Sequence, residues 1–487
     1  MGRPKGFLEH GREDATRRPV EVRLRDWREV YEPRDAATMR NQAGRCMDCG
    51  IPFCHEACPL GNLVPEWSDL VTRDDWAAAH ERLHATNNFP EFTGRLCPAP
   101  CEGACVLGID DDPVTIERVE LEIAERSFAE GWVVPITAAR TGRSVAVVGS
   151  GPAGLACAQQ LSRAGHDVTV FERAEAPGGL LRYGIPEFKL EKSVVDRRLD
   201  QLAAEGVTFR CSTSVETSPR TAAPDGVEEV RAAALLDQFD AVVLATGSTV
   251  PRDLPIEGRG LRGIAFAMDY LRASNLVCEG RLAVPPHDAA GKVVVIVGGG
   301  DTGADCLGTA HRQGARSVTQ LEILESPPSL RGEDNPWPTW PVILRTSSAH
   351  EEGGLRRFGL RTVRFVGERD KVIGLEVLPA SEGSQAATTP RAIAAELVIL
   401  AMGFVGPEPA VLDALDVERT GSGTIAVDAA WSTSTPRVFA CGDAVRGQSL
   451  IVWAIAEGRS CAVAVDRALM GSTELPASVV PYEAALA

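Results

Sequence analysis

No stretch of this 487-residue chain reaches the roughly 20 consecutive apolar residues that a membrane-spanning helix needs, so a membrane protein is not expected. Lysine and arginine never gather into a run and the net charge is −17, which makes nucleic acid and anionic membrane poor candidates as partners. Nor does the start, Met1-Gly-Arg-Pro-Lys-Gly6, hold an apolar signal core, and Gly6 stands where a myristoylation motif carries Ser or Thr. A cytoplasmic protein is the expectation. No Cys-x-x-Cys occurs after residue 140, which counts against a redox dithiol in the larger part of the chain. What remains, 44% hydrophobic and 24% charged residues, is an ordinary globular composition. The chain is too long for one core, so about two to four domains are expected.

What is present is glycine at fixed spacing. Val145-Ala-Val-Val runs into Gly149-x-Gly151-x-x-Gly154, and an apolar helical pattern (Leu155, Cys157, Ala158, Leu161) begins at once. That order describes a buried parallel strand, a tight turn and a helix N-terminus. Such a turn lets the backbone approach a pyrophosphate, whose charge meets free N–H groups and the helix dipole. The next strand, Asp167 to Glu172, ends in a carboxylate at the place where ribose hydroxyls of a bound adenosine belong. A lone glycine motif is weak evidence; strand, turn, helix and terminal acid together are strong. The signature then recurs: Lys292-Val-Val-Val-Ile-Val leads into Gly298-x-Gly300-x-x-Gly303 with Asp301 and Thr302 between the last two glycines. One such fold could bind any adenine nucleotide. Two imply two cofactors, most simply a flavin facing a nicotinamide.

Four other segments attach to these folds. Pro177 to Pro186 is a glycine-rich loop with Gly179, Leu180 and Arg182, suited to running along a cofactor's phosphates or else an ordinary surface loop. Phe239 to Gly247 is an apolar strand ending in a small-residue turn, and Pro436 to Asp443 is another ending in Gly442-Asp443. Asp443 is placed to hydrogen-bond a ribityl chain, or simply to cap the helix that follows. For the second cofactor, Glu322 favours NADH, whereas Arg312, Arg316 and Arg331 are candidates for a 2′-phosphate; the residues alone leave that choice even. Asn335-Pro-Trp-Pro-Thr-Trp-Pro341 is neither helix nor central strand and reads as a rigid loop over the nicotinamide, over a partner, or as a structural lid. Residues 379–391 read as a hairpin tip and 213–236 as a strand edge plus helix.

The N-terminal part carries different chemistry. After about forty polar, Arg-rich residues, an arm, seven of the thirteen cysteines fall between Cys46 and Cys105. The spacing Cys46-x2-Cys49-x4-Cys54-x3-Cys58-Pro59, followed by Cys97-x3-Cys101-x3-Cys105, suits iron–sulfur ligation better than the paired knuckles of structural zinc. Seven thiolates are one short of two four-cysteine clusters, which leaves a vacant site or a non-cysteine ligand. Trp67–Leu83 and Val114–Phe128 show helical periodicity and read as helices packed around the clusters. The expected architecture is α/β: a helical cluster domain (1–140), then two Rossmann-like folds, the flavin fold split (141–285 and 426–487) around an inserted nicotinamide fold (286–425).

The two glycine signatures, Ala245-Thr-Gly247 and Cys441-Gly-Asp443 together resemble the pyridine nucleotide-disulphide oxidoreductase superfamily, outside its redox-disulphide branch. With the cysteine domain attached, the whole chain resembles the small (beta) subunits of bacterial NADPH-dependent glutamate synthases. The specific stretches are Gly2-x-Pro4-x-Gly6-Phe7-Leu8, Gly94 to Cys105, Gly300 to Asp305, the Asn-Pro-Trp-Pro loop and Arg345 to Gly353. The resemblance implies NADPH oxidation by FAD and single-electron transfer through two [4Fe–4S] clusters to a large (alpha) subunit that carries FMN and makes glutamate, hence a hetero-oligomer. It places FAD on Gly149, Gly151, Ala153, Gly154, Glu172, Gly179, Leu180, Arg182, Gly247, Gly442 and Asp443. It places NADPH on Gly298, Gly300, Asp301, Thr302, Gly303 and Arg316. By analogy with the cluster domain of dihydropyrimidine dehydrogenase, Cys46, Cys49, Cys54 and Cys105 hold one cluster. Cys58, Cys97 and Cys101 hold the other, with Glu120, a carboxylate where that relative has an amide, completing it. The alternatives are a ferredoxin-linked electron-transfer subunit and, from another class, a zinc-stabilised assembly platform.

Overall fold

The computed structural model describes residues 5–216, 226–380 and 389–483. The hairpin tip expected at 379–391 lies largely outside these residues, as does the middle of the 213–236 stretch.

Two five-stranded parallel sheets form the larger part of the molecule. The first has the spatial order Val438–Ala440, Ala241–Leu244, Ser144–Val148, Asp167–Phe171, Thr208–Arg210. The second has the order Ile264–Phe266, Leu397–Leu400, Val293–Val297, Ser317–Leu321, Leu355–Arg357. In each, the strand that enters the glycine turn is central, with its sequence successor on one side. The central strands are unbroken apolar runs because both faces are covered. Val145 and Val147 pack with helices Pro152–Arg163 and Ile451–Met470; Ala146 and Val148 join the opposite core with Leu235, Val411 and Leu412. In the second fold, Val294 and Ile296 meet helices Ala267–Cys278 and Asp301–Arg312. Val295 meets Phe365, Leu375 and Val377 of a three-stranded antiparallel sheet.

The crossing points between folds differ from the expected 285/286 and 425/426. Ile264–Phe266 pairs with Leu397–Leu400 and so belongs to the second sheet, and Val411, Leu412, Leu415 and Val417 already pack on the first. Neither segment carries a glycine signature, so only strand pairing reveals its sheet. The two crossing strands, Val250–Pro251 and Phe404–Gly406, pair antiparallel as a narrow neck.

The N-terminal unit is helical, with Ala36–Ala43, Val64–Thr72, Trp76–His84, Pro90–Leu96 and Ile116–Ala129 as its main helices. The run read as one helix from Trp67 to Leu83 is two. Asp74 adopts φ 65°, and the Asp75 carboxylate caps the second helix by accepting the Ala78 N–H at 3.2 Å. This unit is not an appendage. Cys58, Leu60, Phe89 and Phe92 share a core with Val145 and Val147. The fully buried Glu91 carboxylate takes two bonds from Arg198, at 2.6 and 2.7 Å, on helix Lys192–Ala204 of the first fold. The arm does more than lead into the cysteines. Arg12 donates to Pro113 O at 3.0 Å, and the Val30 N–H donates to Phe188 O at 3.2 Å. Arg23 pairs with Glu352 at 2.8 Å, and Arg312 binds the same carboxylate at 3.0 Å. All three of those side chains are buried; the two guanidinium groups share the one carboxylate, and Arg23 also reaches Glu351 at 3.3 Å, which supplies the second negative charge. Among the described residues, no helix is long and apolar enough to cross a membrane.

Candidate functional site

A cleft of about 1630 Å³ runs between the two nucleotide folds and reaches the cysteine unit. Its two ends are built alike. Gly149 sits at φ 102° and Gly298 at φ 125°; a β-carbon on either would lie 2.4 or 2.1 Å from the carbonyl oxygen of Ala245 or Ala401 on the neighbouring strand. Gly154 and Gly303 face away from the cleft, pressed onto Gly149 O and Gly298 O so that helix and strand can pack closely. Gly151 and Gly300 are the opposite case: a β-carbon there would meet nothing within 4 Å, because it would project into the cleft. That is the space a pyrophosphate requires, and it lies at the N-terminus of helix Pro152–Arg163 or Asp301–Arg312. In the first fold, Gly179 closes over this space, its missing β-carbon only 2.8 Å from Gly151 Cα.

The two strand-end carboxylates also match. Glu172 accepts the N–H of Ser150 at 3.2 Å and of Ala174 at 2.8 Å; Glu322 accepts the N–H of Gly299 at 2.8 Å and of Leu324 at 2.9 Å. Both line the cleft, and each ties its strand to its own glycine turn. Sequence reading assigned Glu172 to the ribose and Glu322 to the choice between NADH and NADPH, but their hold on the turns becomes visible only in three dimensions. Ala153, Leu180, Gly247, Asp301 and Asp443 also line the cleft. Burial pushes the Asp443 carboxyl up to about 6, and the Ser449 hydroxyl donates to it at 2.9 Å. Gly442 lies behind it, with its N–H on Glu457 at 2.9 Å and its α-carbon too close to Ala153 for any side chain. Thr302 is half-buried in the first turn of its helix.

The expected arginines are elsewhere. Arg182 does not line the cleft: it is buried between Asp196 and Glu279, 2.7 Å from the latter, and braces its loop from behind. Arg316 precedes strand Ser317–Leu321, at the opposite end from Glu322, and pairs on the surface with Glu396. Arg312 is committed to Glu352, and Arg331 donates to Thr339 O at 2.6 Å. Two arginines that sequence reading passed over take their place. Arg356 lies beside Gln320 on the adjacent strand, and Arg345 ends the Trp-Pro loop. Both line the cleft, neither pairs with a carboxylate among the described residues, and burial lowers both. At the junction of the folds, Lys189 pairs with Asp305 inside the same cleft.

The cysteines form two groups. Cys46, Cys49, Cys54 and Cys105 surround one small cavity walled by Val64, Leu107 and Ile116. Cys58, Cys97 and Cys101 lie within electrostatic reach of one another and of Glu120. Glu120 is buried and lifted by desolvation to about 7; Asn62 donates to it at 3.0 Å, and the Thr93 hydroxyl also donates. Burial pushes Cys46 up to about 12 and Cys58 to about 11, and holds Cys97 and Cys101 well above the ordinary thiol range. Buried thiols packed this densely suit ligation, where the metal replaces the proton. A zinc ion, with Zn–S bonds of about 2.3 Å, needs its ligands drawn onto one point. Among the described residues no three His, Cys, Asp or Glu side chains converge so. Thiols spread around a cavity fit the larger body of a cluster. Cys97 also lines the large cleft, and Leu96 and Cys97 pack on the core of the first fold.

These features define a class. The profile of the pyridine nucleotide-disulphide oxidoreductase family matches residues 143–458, and that of dihydropyrimidine dehydrogenase domain II, 4Fe–4S cluster, matches 23–132. The chain is an oxidoreductase of that fold with an N-terminal iron–sulfur unit. The structure of FprA, a Mycobacterium tuberculosis oxidoreductase, shares the fold at 18% identity and TM-score 0.51, over 68% of this chain and 85% of that one. Full-length relatives narrow the class. The glutamate synthase [NADPH] small chain of Mycobacterium tuberculosis is 57% identical over 100% of both chains. The glutamate synthase [NADH] of Saccharomyces cerevisiae is 44% identical over 97% of this chain, which spans 23% of that longer protein. The chain belongs to the glutamate synthase small-chain family.

Proposed function

We propose that this chain oxidises NADPH at FAD and passes the electrons one at a time through two [4Fe–4S] clusters to a large glutamate synthase chain, where L-glutamine and 2-oxoglutarate become glutamate. The observation that carries this reading is the single cleft, which both glycine turns and Cys97 line together. A nicotinamide gives up two electrons as a hydride and clusters take one at a time, so the flavin supplies the conversion between them.

The rest is positioning. The first fold holds FAD: Gly151 and Gly179 leave room for its pyrophosphate, Ser150 and Glu172 fix the turn, and Asp443 receives the ribityl chain. The second fold holds NADPH against Gly300 and Asp301, with Arg345 and Arg356 at the 2′-phosphate. Those two arginines supply the positive charge that a 2′-phosphate needs, while Glu322 is held by two backbone N–H groups of its own turn. Cys46, Cys49, Cys54 and Cys105 hold one cluster; Cys58, Cys97, Cys101 and Glu120 hold the other, which sits at the wall of the flavin cleft. Apolar side chains around both groups keep water away. No acid, base or nucleophile is required.

That a similar chain forms 23% of a longer glutamate synthase supports a stable partnership with a large chain. On this reading the chain works in the cytoplasm as part of a hetero-oligomer. The test is anaerobic NADPH oxidation by this chain with and without its large chain, adding glutamine and 2-oxoglutarate singly and together. Oxidation that needs both substrates and the large chain, with glutamate as product, is expected. Oxidation indifferent to them but stimulated by ferredoxin would move the chain to another electron-transfer complex.

A further inference from the structure

The Trp-Pro loop was open to several sequence readings, and its position joins two parts of the molecule that the chemistry keeps apart. It follows Glu322 and leaves the second fold between strands Ser317–Leu321 and Leu355–Arg357. Of its later residues, Trp340 and Val342 to Arg345 line the dinucleotide cleft. Its earlier ones cross to the cysteine unit. The Trp337 ring packs on Phe53 at 4.6 Å, next in sequence to Cys54. Trp340 and Pro341 cover Gly103, midway between Cys101 and Cys105, within 3.3 and 3.2 Å of where its β-carbon would be.

Internal bonds make the loop one body. Arg331 donates to Thr339 O at 2.6 Å and to Asn335 O at 3.1 Å. Asn335 donates to Trp340 O at 3.0 Å and accepts the Val342 N–H at 2.8 Å. Arg345 stacks over the Trp340 ring at 4.0 Å, donates to Pro341 O at 2.7 Å, and accepts from Arg356 at 2.9 Å through its own carbonyl. A shift of Arg345 or Arg356 on meeting an anion therefore has a rigid path to Trp337. Packed contacts of this kind rearrange as units and are not continuously deformable.

We propose that this loop couples occupancy of the dinucleotide site to the exposure of the cluster held by Cys46, Cys49, Cys54 and Cys105. NADP⁺ bound by Arg345 and Arg356 holds the loop as one body and so keeps Trp337 on Phe53, over Cys54. The empty site lets that contact open. By linkage, if NADP⁺ binds the cluster-loaded chain more tightly, loss of the cluster must weaken NADP⁺ binding. The inference rests on the cluster assignment above, so iron and sulfide per full-length chain are measured first. A chain without iron would overturn that assignment, and this coupling with it, whereas a chain with iron that NADP⁺ does not protect would overturn the coupling alone.

With iron present, its removal by bipyridyl is followed by cluster absorbance, with and without saturating NADP⁺, in the wild type and in Trp337→Ala. Trp337 does not line the cleft, so its loss leaves the anion contacts intact. NADP⁺ should slow iron loss about fivefold or more in the wild type and not at all in the variant, while FAD content stays full. Equal protection in both proteins, or none in the wild type, would overturn the proposal. Phe53→Leu reads the same contact from the other side should Trp337→Ala purify without clusters. Titration of NADP⁺ into Cys54→Ser, read by the flavin spectrum, should give a raised dissociation constant; an unchanged constant would overturn the coupling.

Discussion

The two glycine turns are near copies in backbone, and they differ in how deeply they are set. Around the first, Ser150 and Glu172 are buried, and Gly458 of the last helix lets that helix press onto Ala153 O. Gly179 closes over the pyrophosphate space from the other side. Around the second, Gly300 and the residues after Glu322 are exposed, and nothing comparable to Gly179 covers the turn among the described residues. The same motif thus serves two ends: a covered turn suits a cofactor that stays, an open one a dinucleotide that must leave each turnover. Exposure at the turn, a tertiary property, separates resident from substrate.

Substitutions at the matched glycines test that contrast most directly. Gly151→Val fills the space between the turn and Gly179. The purified variant should hold less than about a tenth of the wild-type FAD, since the new side chain occupies the open space that the pyrophosphate needs. Full FAD content would refute the assignment of the first turn. Gly300→Val in the open turn should keep its FAD and raise KM for NADPH about a hundredfold, measured by dye reduction. If instead it lost FAD, the roles of the two folds would be reversed.

Smaller effects sharpen the comparison. Arg356→Gln should raise KM for NADPH about tenfold, the worth of one charge-assisted hydrogen bond, and leave the weaker use of NADH unchanged. A parallel loss with both dinucleotides would remove Arg356 from the 2′-phosphate. The smallest effect concerns the covered turn alone. Burial lifts Glu457, which holds the Gly442 N–H and Arg446, from 4.5 to about 7. The folded state binds that proton more tightly than the unfolded one, so its contribution to stability is greatest below pH 4.5 and falls as pH rises toward 7. Glu457→Gln should flatten that decline by about 3 kcal/mol, seen as a weaker dependence of Tm on pH across that window. An unchanged slope would mean the carboxylate is solvated in solution.

Much of the site was legible in the residues because the chemistry of a glycine turn is local. A backbone that must turn tightly and leave room for a phosphate demands glycine at fixed spacing, whatever surrounds it. The grouping of Cys46, Cys49, Cys54 and Cys105 was reached by resemblance and not by spacing, since Cys105 lies far along the chain from the others. The arginines show the limit. Arg182 and Arg316 were near the right motifs in sequence, yet a side chain's direction depends on the end of the strand it occupies and on which carboxylate reaches it first. In a chain with net charge −17, most arginines find a partner, and those left in the cleft, Arg345 and Arg356, come from other strands and loops.

By itself, then, the sequence determined the strand–turn–helix repeats, the helical cysteine unit and the acids at the strand ends, because each depends on neighbours a few residues away. Only the tertiary structure decided which sheet Ile264–Phe266 joins, that the arm buries Arg23 against Glu352, and that the Trp-Pro loop lies on the cysteine unit. These are contacts between segments tens to hundreds of residues apart. Their energy comes from paired charges and excluded water, which no local pattern records.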